Sequence, residues 1–164
     1  MILTILRIGS HALPLPSYAH PGDAGLDLAV RLDRREDLRR WGDSAFIMRD
    51  PGTGAPRLTL FPGARALVPC GFAFAIPDGY EGQVRPRSSC FKRGLHVALG
   101  TIDAGYRGEV LVGVWNLGDE EVEIDHGDRI AQLVIAPVAR CTAVEVSELD
   151  ATARGANGLG SSGR

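Results

Sequence analysis

Arg87, Ser88 and Ser89 form the first group of side chains suited to chemistry. The guanidinium offers a planar fork to anionic oxygens, and the two hydroxyls add donors beside the backbone amides. Pro86 restricts the chain next to the group. The combination favours binding of an anionic ligand, although arginine and serine are also common together in exposed turns.

Two further groups lie in glycine-rich stretches downstream. Asp103 is suited to act as a general base, and Tyr106 to serve as a platform for a sugar or base ring. Arg129 and Gln132 follow a Gly-Asp turn and enter an apolar segment, where both can face a ligand. Taken singly, each group is more typical of an ordinary hairpin turn than of a site.

The last eleven residues, 154–164, are rich in glycine and serine and cannot form a core element. Two interpretations remain open for this segment. It is a frayed tail, or a mobile strap whose amides and hydroxyls close over phosphates when a ligand binds.

Composition limits the function classes. The chain has 164 residues, 45% of them hydrophobic and 23% charged, as expected for one globular domain. A net charge of −2 provides no overall attraction to nucleic acid, so any phosphate chemistry is local. No apolar run approaches the ~20 residues of a membrane span. The apolar stretch before Arg7 is too short for a secretory signal, and we expect no membrane partner and a cytoplasmic location.

Neither cysteines nor histidines indicate a metal site. The four histidines lack the His-Glu-x-x-His spacing, and Cys70, Cys90 and Cys141 form no Cys-x-x-Cys pair. We expect the cysteines to be buried free thiols in a reducing compartment.

Short apolar segments with turn residues between them predict an all-β sandwich or barrel rather than alternating strands and helices. Gly71 is predicted to interrupt a long segment as a bulge or kink. The predicted strands are residues 2–8, 64–77, 82–85, 95–99, 109–115, 122–124, 129–135 and 139–146.

One segment departs from this pattern. Residues 33–41 predict a short helix, with Asp33 as cap and Glu36 three positions later. The whole stretch 33–56 is interpreted as an inserted excursion. It is a solvated surface insertion, or a partner surface that uses Trp41 and Phe46.

In combination, these groups resemble the family of homotrimeric deoxyuridine triphosphatases, the dUTPases. The resemblance rests on five motifs in the family's order, and it covers most of the chain outside 33–56. They are Ala-Gly-Leu-Asp-Leu at 24–28, Arg-Pro-Arg-Ser-Ser at 85–89, Gly-Thr-Ile-Asp-Ala-Gly-Tyr-Arg-Gly at 100–108, Gly-Asp-Arg-Ile-Ala-Gln-Leu at 127–133, and the glycine-serine segment at 154–163.

The resemblance implies a distorted β-barrel of jelly-roll type over residues 1–153, with 154–164 as an arm that closes the active site. It also implies a homotrimer with active sites shared between subunits. Mg²⁺ is the implied cofactor. Phosphate oxygens and water hold the ion with no direct protein ligand, in agreement with the missing metal spacing.

The resemblance assigns the chemistry residue by residue. Asp103 activates a water that attacks the α-phosphorus of dUTP and releases dUMP and pyrophosphate. Tyr106 packs under the deoxyribose, and Asp27 and Arg129 support the phosphate side. The other implied substrate-binding residues are Arg87, Ser88, Ser89, Leu99, Gly100, Thr101, Ile102, Leu111, Gln132, Arg154, Leu159, Gly160, Ser161 and Ser162.

Some positions depart from the family's pattern. Leu159 stands where many members have an aromatic that stacks on uracil, and Ser89 stands where a glycine is usual. The hairpin at 95–100 is short. We therefore expect base discrimination to be the property most affected.

Two rival functions are retained. The first is a dCTP deaminase, or a bifunctional deaminase, of the same superfamily. A deaminase of this superfamily uses a glutamate to transfer a proton. Counting ten residues after Asp103 places that glutamate at Gly113, and glycine cannot transfer a proton. The second is a nucleotide-binding regulatory module. Loss of Asp103 or of the arm would have favoured this function, but the sequence retains both.

Overall fold

The computed structural model describes residues 1–33, 39–41 and 45–157, and for 39–41 it describes the backbone alone. Nearly all regular structure in these ranges is strand, so the predicted all-β class is confirmed. The strands are β1 (Thr4–Arg7), β2 (Gly25–Ala29), β3 (Arg39–Trp41), β4 (Ala45–Arg49), β5 (Pro56–Leu60), β6 (Arg65–Pro69), β7 (Phe72–Ala75), β8 (Tyr80–Pro86), β9 (Leu95–Val97), β10 (Gly100–Ile102), β11 (Leu111–Asn116), β12 (Val122–Asp125) and β13 (Arg129–Pro137). One short helix, α1, spans Ser88–Lys92.

The strands form four antiparallel sheets, with orders β1-β7, β10-β8-β13-β2, β3-β6-β11-β9 and β12-β5-β4. Among the described strands, no ladder of hydrogen bonds closes these sheets into a barrel. The jelly-roll connectivity implied by the resemblance stays a prediction.

The β10-β8-β13-β2 sheet has one apolar face and one polar face. Val84 and Leu133 are buried cross-strand partners, as period-two alternation requires. On the opposite face, Arg85, Gln132 and Asp27 form a row across β8, β13 and β2. This row matters for function, because it brings together residues from three motifs.

The apolar face packs into a continuous core shared with the neighbouring sheets. Phe72 and Phe74 of β7 are among its largest fully buried side chains. Gly71 has a φ of +81° and separates β6 from β7. The long strand predicted over 64–77 is therefore two strands with a turn at the glycine.

Two element predictions are wrong in the described residues. The helix predicted over 33–41 is wrong at residues 39–41, which form β3 and pair with β6. The remaining residues of this predicted helix, 34–38, lie outside the described residues. Here pairing with a sheet overrides local helix propensity. The strand predicted over 139–146 is absent, since β13 ends at Pro137 and the following backbone forms no ladder.

The second half of the 33–56 stretch joins the β-framework. β4 pairs with β5 along its whole length and so extends the β12-β5-β4 sheet. Phe46 is exposed on this hairpin and packs edge-to-face against Phe61, with ring centroids 6.1 Å apart. Within the described part of the chain, no helix is long and apolar enough to cross a membrane.

Candidate active site

The segment after β10 forms a cavity of about 200 Å³ that contains the predicted general base. Five predicted site residues line it, and we call it the carboxylate cavity. They are Thr101, Ile102, Asp103, Tyr106 and Leu111. Asp103 is exposed at the start of a turn, in which the Tyr106 N–H donates to the Asp103 carbonyl at 3.0 Å. A carboxylate and an aromatic ring therefore share one small cavity.

A second cavity of about 260 Å³ lies beside it along β8 and β10. Leu99, Gly100 and Thr101 line one side, and Gln83 and Arg85 are among the residues of the other. Leu99 is 77% exposed, so its side chain covers no core. Thr101 borders both cavities, and the two therefore form adjoining parts of one surface.

The third group of predicted residues is a cluster of two arginines around one carboxylate, here called the arginine cluster. Asp27 accepts hydrogen bonds from Arg87 through Oδ1 and from Arg129 through Oδ2, the latter at 3.0 Å. The Asp27 side chain is only 12% exposed, whereas both arginines reach further into solvent. Charge-assisted bonds of this kind fix guanidinium orientation. The cluster is a pre-set pair of cations on the polar face.

A β-bulge in β13 explains how Arg129 joins this cluster. The register of β13 against β2 shifts between Arg129 and Ala131. Without the shift, Arg129 and Gln132 would lie on opposite faces, because they are an odd number of residues apart. The bulge instead lets both approach Asp27, the direct cross-strand partner of Gln132.

Gln132 is held in place by its neighbours. Its Nε2 donates to the Pro86 carbonyl at 3.0 Å. A Cβ at Gly25 would lie 2.4 Å from Gln132 Oε1, far inside van der Waals contact. Gly25 therefore leaves the space that the Gln132 side chain occupies, a role that the sequence analysis missed.

Ser88 and Ser89 are exposed at the start of α1, directly after Arg87. Cys90 anchors this helix, since its buried Sγ donates to the Ile130 carbonyl of β13 at 3.0 Å. Burial raises the pKa of the Cys90 thiol. Cys70 is buried as well, whereas Cys141 is exposed, so the prediction of buried thiols is wrong for Cys141. The sequence did not predict α1, because five residues are too few for helical periodicity to show.

Within one chain, the carboxylate cavity and the arginine cluster lie apart. Ile102 pairs with Gly82 near the start of β8, whereas Arg87 follows the end of that strand. Five residues of extended chain separate Gly82 from Arg87, which corresponds to about 17 Å. A single chain thus presents the predicted general base and the predicted anion-binding residues at different ends of β8.

The predicted arm is described only in part. Arg154 is exposed, and its Nε donates to the Asn157 carbonyl at 3.1 Å. The other predicted residues of the arm, Leu159, Gly160, Ser161 and Ser162, lie outside the described residues.

Sequence reasoning also missed Glu109, which lines the carboxylate cavity. Its Oε1 accepts the Gly71 N–H at 2.7 Å, and its Oε2 lies 3.7 Å from Nη2 of the buried Arg31. Nothing in the spacing of the motifs points to these long-range partners.

No group of three or more histidine, cysteine, aspartate or glutamate side chains is placed to hold a metal ion in the described ranges. The exposed hydroxyls and arginines described above suit a metal bound through a ligand's phosphate oxygens, which is how Mg²⁺ commonly binds. The absence of direct protein ligands stays a prediction.

Comparison with known proteins places this geometry in a family. The dUTPase family model matches residues 55–163. The deoxyuridine 5'-triphosphate nucleotidohydrolase of Rhizobium johnstonii is 45% identical over 98% of this chain and 93% of its own. That of Desulfotalea psychrophila is 48% identical over 94% of this chain and 90% of its own. The chain belongs to the dUTPase family.

Solved structures show the same fold. The dUTPase of Staphylococcus bacteriophage 80alpha with dUPNHPP matches with a TM-score of 0.78 and 25% identity, over 99% of each chain. A mutant dUTPase from phage phi11 of S. aureus, described with a structural Mg(II) ion, matches with a TM-score of 0.71 and 22% identity, over 92% of this chain and 100% of that one. The dUTPase fold therefore extends over nearly the whole chain.

Proposed function

We propose that this protein hydrolyses dUTP to dUMP and pyrophosphate. One observation carries the proposal. In a chain that aligns over 98% of its length with a deoxyuridine 5'-triphosphate nucleotidohydrolase, Asp103 and Tyr106 share one cavity. Removal of dUTP would limit uracil incorporation into DNA, and the product dUMP would be available for thymidylate synthesis.

Asp103 is the general base of the reaction. It takes a proton from a water molecule, and the water oxygen forms a bond to the α-phosphorus as the bond to the bridging oxygen of the β-phosphate breaks. The electron pair leaves with pyrophosphate. Exposure of Asp103 at the rim of the cavity leaves room for this water.

The arginine cluster neutralises the triphosphate. Arg87 and Arg129 are oriented by Asp27 before any ligand arrives, so little reorganisation is needed as charge shifts toward the leaving group. Ser88, Ser89 and Gln132 add neutral donors on the same side. Mg²⁺, when bound to the phosphates, supplies further charge neutralisation and orients the leaving group.

The nucleoside occupies the adjoining cavities. Tyr106 packs under the deoxyribose, and Leu111 and Ile102 contribute apolar walls. Backbone groups at Leu99 and Gly100 read the uracil ring, because fixed N–H and C=O groups at a hairpin reject the amino group of cytosine.

The separation within one chain supports an active site shared between subunits of a homotrimer. In the homotrimer, the arginine cluster of one subunit would face the carboxylate cavity of its neighbour. The ~17 Å that separates the two regions along β8 of one chain would then not have to be spanned. Arg154, Leu159, Gly160, Ser161 and Ser162 would form the arm that closes over the phosphates.

Product analysis tests the proposed activity. dUTP, dCTP, dTTP and UTP are incubated separately with the protein and Mg²⁺, and nucleotides and pyrophosphate are resolved. We expect dUMP and pyrophosphate from dUTP alone. Deoxyuridine products from dCTP would show deamination instead, and no product from any nucleotide would indicate a binding module.

The structure weighs against deamination. Gly113, the position at which the deaminase glutamate falls, lies in β11, where a Cβ would sit 3.1 Å from the Ala98 Cβ. The site therefore lacks both the acid and the open space for one at that position.

A further inference from the structure

Tyr106 is fixed both at its side-chain hydroxyl and at its backbone, although 44% of the residue is exposed. Its hydroxyl donates to the Glu109 carbonyl at 3.1 Å, and its backbone N–H donates to the Asp103 carbonyl at 3.0 Å. An exposed aromatic ring ordinarily samples several rotamers. Here the hydroxyl bond selects one ring position along the wall of the carboxylate cavity.

Gly108 provides the space for that position. A Cβ at Gly108 would lie 2.4 Å from Tyr106 Oη and 2.6 Å from Cζ, closer than real Cβ atoms approach. The φ of Gly108 lies outside the left-handed range. The backbone conformation at position 108 therefore does not require glycine. The observed position of the Tyr106 ring does require it.

The acceptor on Glu109 is itself anchored to the core. Its Oε1 accepts the Gly71 N–H at 2.7 Å, and its Oε2 faces Arg31, which is 1% exposed, at 3.7 Å. The following N–H, that of Val110, donates to the Phe72 carbonyl at 2.9 Å. The carbonyl that receives the tyrosine hydroxyl thus belongs to a segment fixed by the interior.

We infer that Gly108 and Glu109 form a clamp that sets the height of the Tyr106 ring and so controls the discrimination of deoxyribose from ribose. Gly108 and Glu109 are positioning residues, and Tyr106 is the group that meets the sugar. This inference rests on the proposed function, since it concerns how the same site selects dUTP over UTP. A shift of the ring by a fraction of an ångström changes the space left for a 2′-hydroxyl.

The loop provides its own control. Gly105 also lies outside the left-handed range, and a Cβ there would meet nothing within 4 Å. The experiment compares kcat/KM for dUTP and for UTP in the wild-type protein, Gly108→Ala and Gly105→Ala, with thermal unfolding measured for each. We expect Gly108→Ala to lower the dUTP-to-UTP ratio about tenfold, within the range of pocket-based discrimination. Gly105→Ala should leave the ratio within about twofold, as for surface substitutions.

Tyr106→Phe provides a second test that does not depend on the folding of Gly108→Ala. It keeps the ring and removes the bond to Glu109, so we expect a drop in the ratio of about threefold, the effect of one hydrogen bond. An unchanged ratio in Gly108→Ala or in Tyr106→Phe, or equal losses for both nucleotides, would overturn the clamp while leaving dUTP hydrolysis by the wild type intact. A wild-type protein that hydrolyses no dUTP would instead overturn the proposed function and, with it, the basis of the clamp.

Discussion

The arginine cluster and the carboxylate cavity are built in opposite ways. Arg87 and Arg129 lie on or directly after the interior strands β8 and β13, Asp27 lies on the neighbouring edge strand β2, and direct ion pairs bind the three residues together. Asp103 instead follows β10, the edge strand on the opposite side of the same sheet, and lies on an exposed turn without an ion pair to any described residue. One chain therefore pre-organises the proposed anion-binding residues by itself, while the proposed base lies on an exposed turn, to which a neighbouring chain would have access.

This difference fits the roles that we propose for the two regions. Binding a triphosphate requires cations that are fixed before the ligand arrives, because reorganisation during the reaction would weaken charge stabilisation. A general base needs a water molecule and a reacting phosphorus beside it, and these arrive with the substrate. Burial of Asp103 within one subunit would leave no room for them.

The largest expected effect comes from a substitution in the carboxylate cavity alone. Asp103→Asn keeps the shape of the turn and removes the base, so we expect kcat for dUTP to fall about 10³-fold. Affinity for a non-hydrolysable dUTP analogue should stay close to that of the wild type, because the arginine cluster is intact. Single-turnover kinetics and calorimetric titration measure the two quantities. A substantial remaining rate would show that another group activates the water.

The second prediction tests whether the two regions meet across subunits. Asp103→Asn and Arg87→Ala are each expected to be nearly inactive. If chains are unfolded together and refolded as mixed oligomers, some sites combine an intact Asp103 from one subunit with an intact Arg87 from another. Random assembly restores about one quarter of the sites in a closed symmetric oligomer.

Recovery of activity in the mixture distinguishes a shared site from one built within a single chain. Separately refolded variants, combined only after folding, are the control and should remain inactive. Equal activity in both samples would contradict the shared site. The molecular mass measured by light scattering tests the homotrimer in the same material.

The sequence predicts much of the arginine cluster and less of what supports it. The motifs at 85–89 and 127–133 supply Arg87, Arg129 and Gln132, and the structure places these close together. Their convergence depends on the bulge in β13 and on the space at Gly25, which arise from strand pairing and side-chain packing. Neither has a local signal in the chain.

The secondary-structure elements show the same limit of prediction from sequence. Alternating apolar residues and turn glycines are enough to predict the all-β class. The segment at 39–41 has helix-forming arginines, yet it pairs with β6 because a partner strand is available there. Residues 139–146 have an apolar pattern but no partner strand within the described chain, so no ladder forms. Tertiary context decides both cases.

Gly25→Ala perturbs the residues beside the arginine cluster and leaves the carboxylate cavity unchanged. The added methyl would push against Gln132 Oε1 and disturb its bond to the Pro86 carbonyl. We expect kcat/KM for dUTP to fall about tenfold, as for a small displacement of a positioning residue. The dUTP-to-UTP ratio should stay unchanged, because the Tyr106 ring is in the other region. A changed ratio with unchanged rate would contradict the division of roles.

The smallest effect concerns two thiols, one behind each region. Cys70 lies next to Gly71, whose N–H holds Glu109 behind the carboxylate cavity, and Cys90 lies beneath the arginine cluster. Burial raises the pKa of Cys70 from 9.0 to about 12. Burial also raises the pKa of Cys90, but there the charges of Arg93 and Arg87 oppose the rise. Iodoacetamide labelling of a Cys141→Ala chain, followed by mass spectrometry from pH 8 to 11, should therefore modify Cys90 before Cys70.

The same shift predicts how stability depends on pH. Because the folded state keeps Cys70 protonated, its contribution is complete below pH 9 and is lost as the pH rises toward 12. Between pH 8 and 10 the free energy of unfolding should fall by about 1 kcal/mol through this thiol. Urea unfolding of Cys70→Ala beside its parent isolates that slope from other titrating groups. An equal slope in both proteins would show that burial does not keep Cys70 protonated. Labelling of Cys70 first would show that the interior behind the carboxylate cavity opens more readily than the helix beneath the arginine cluster.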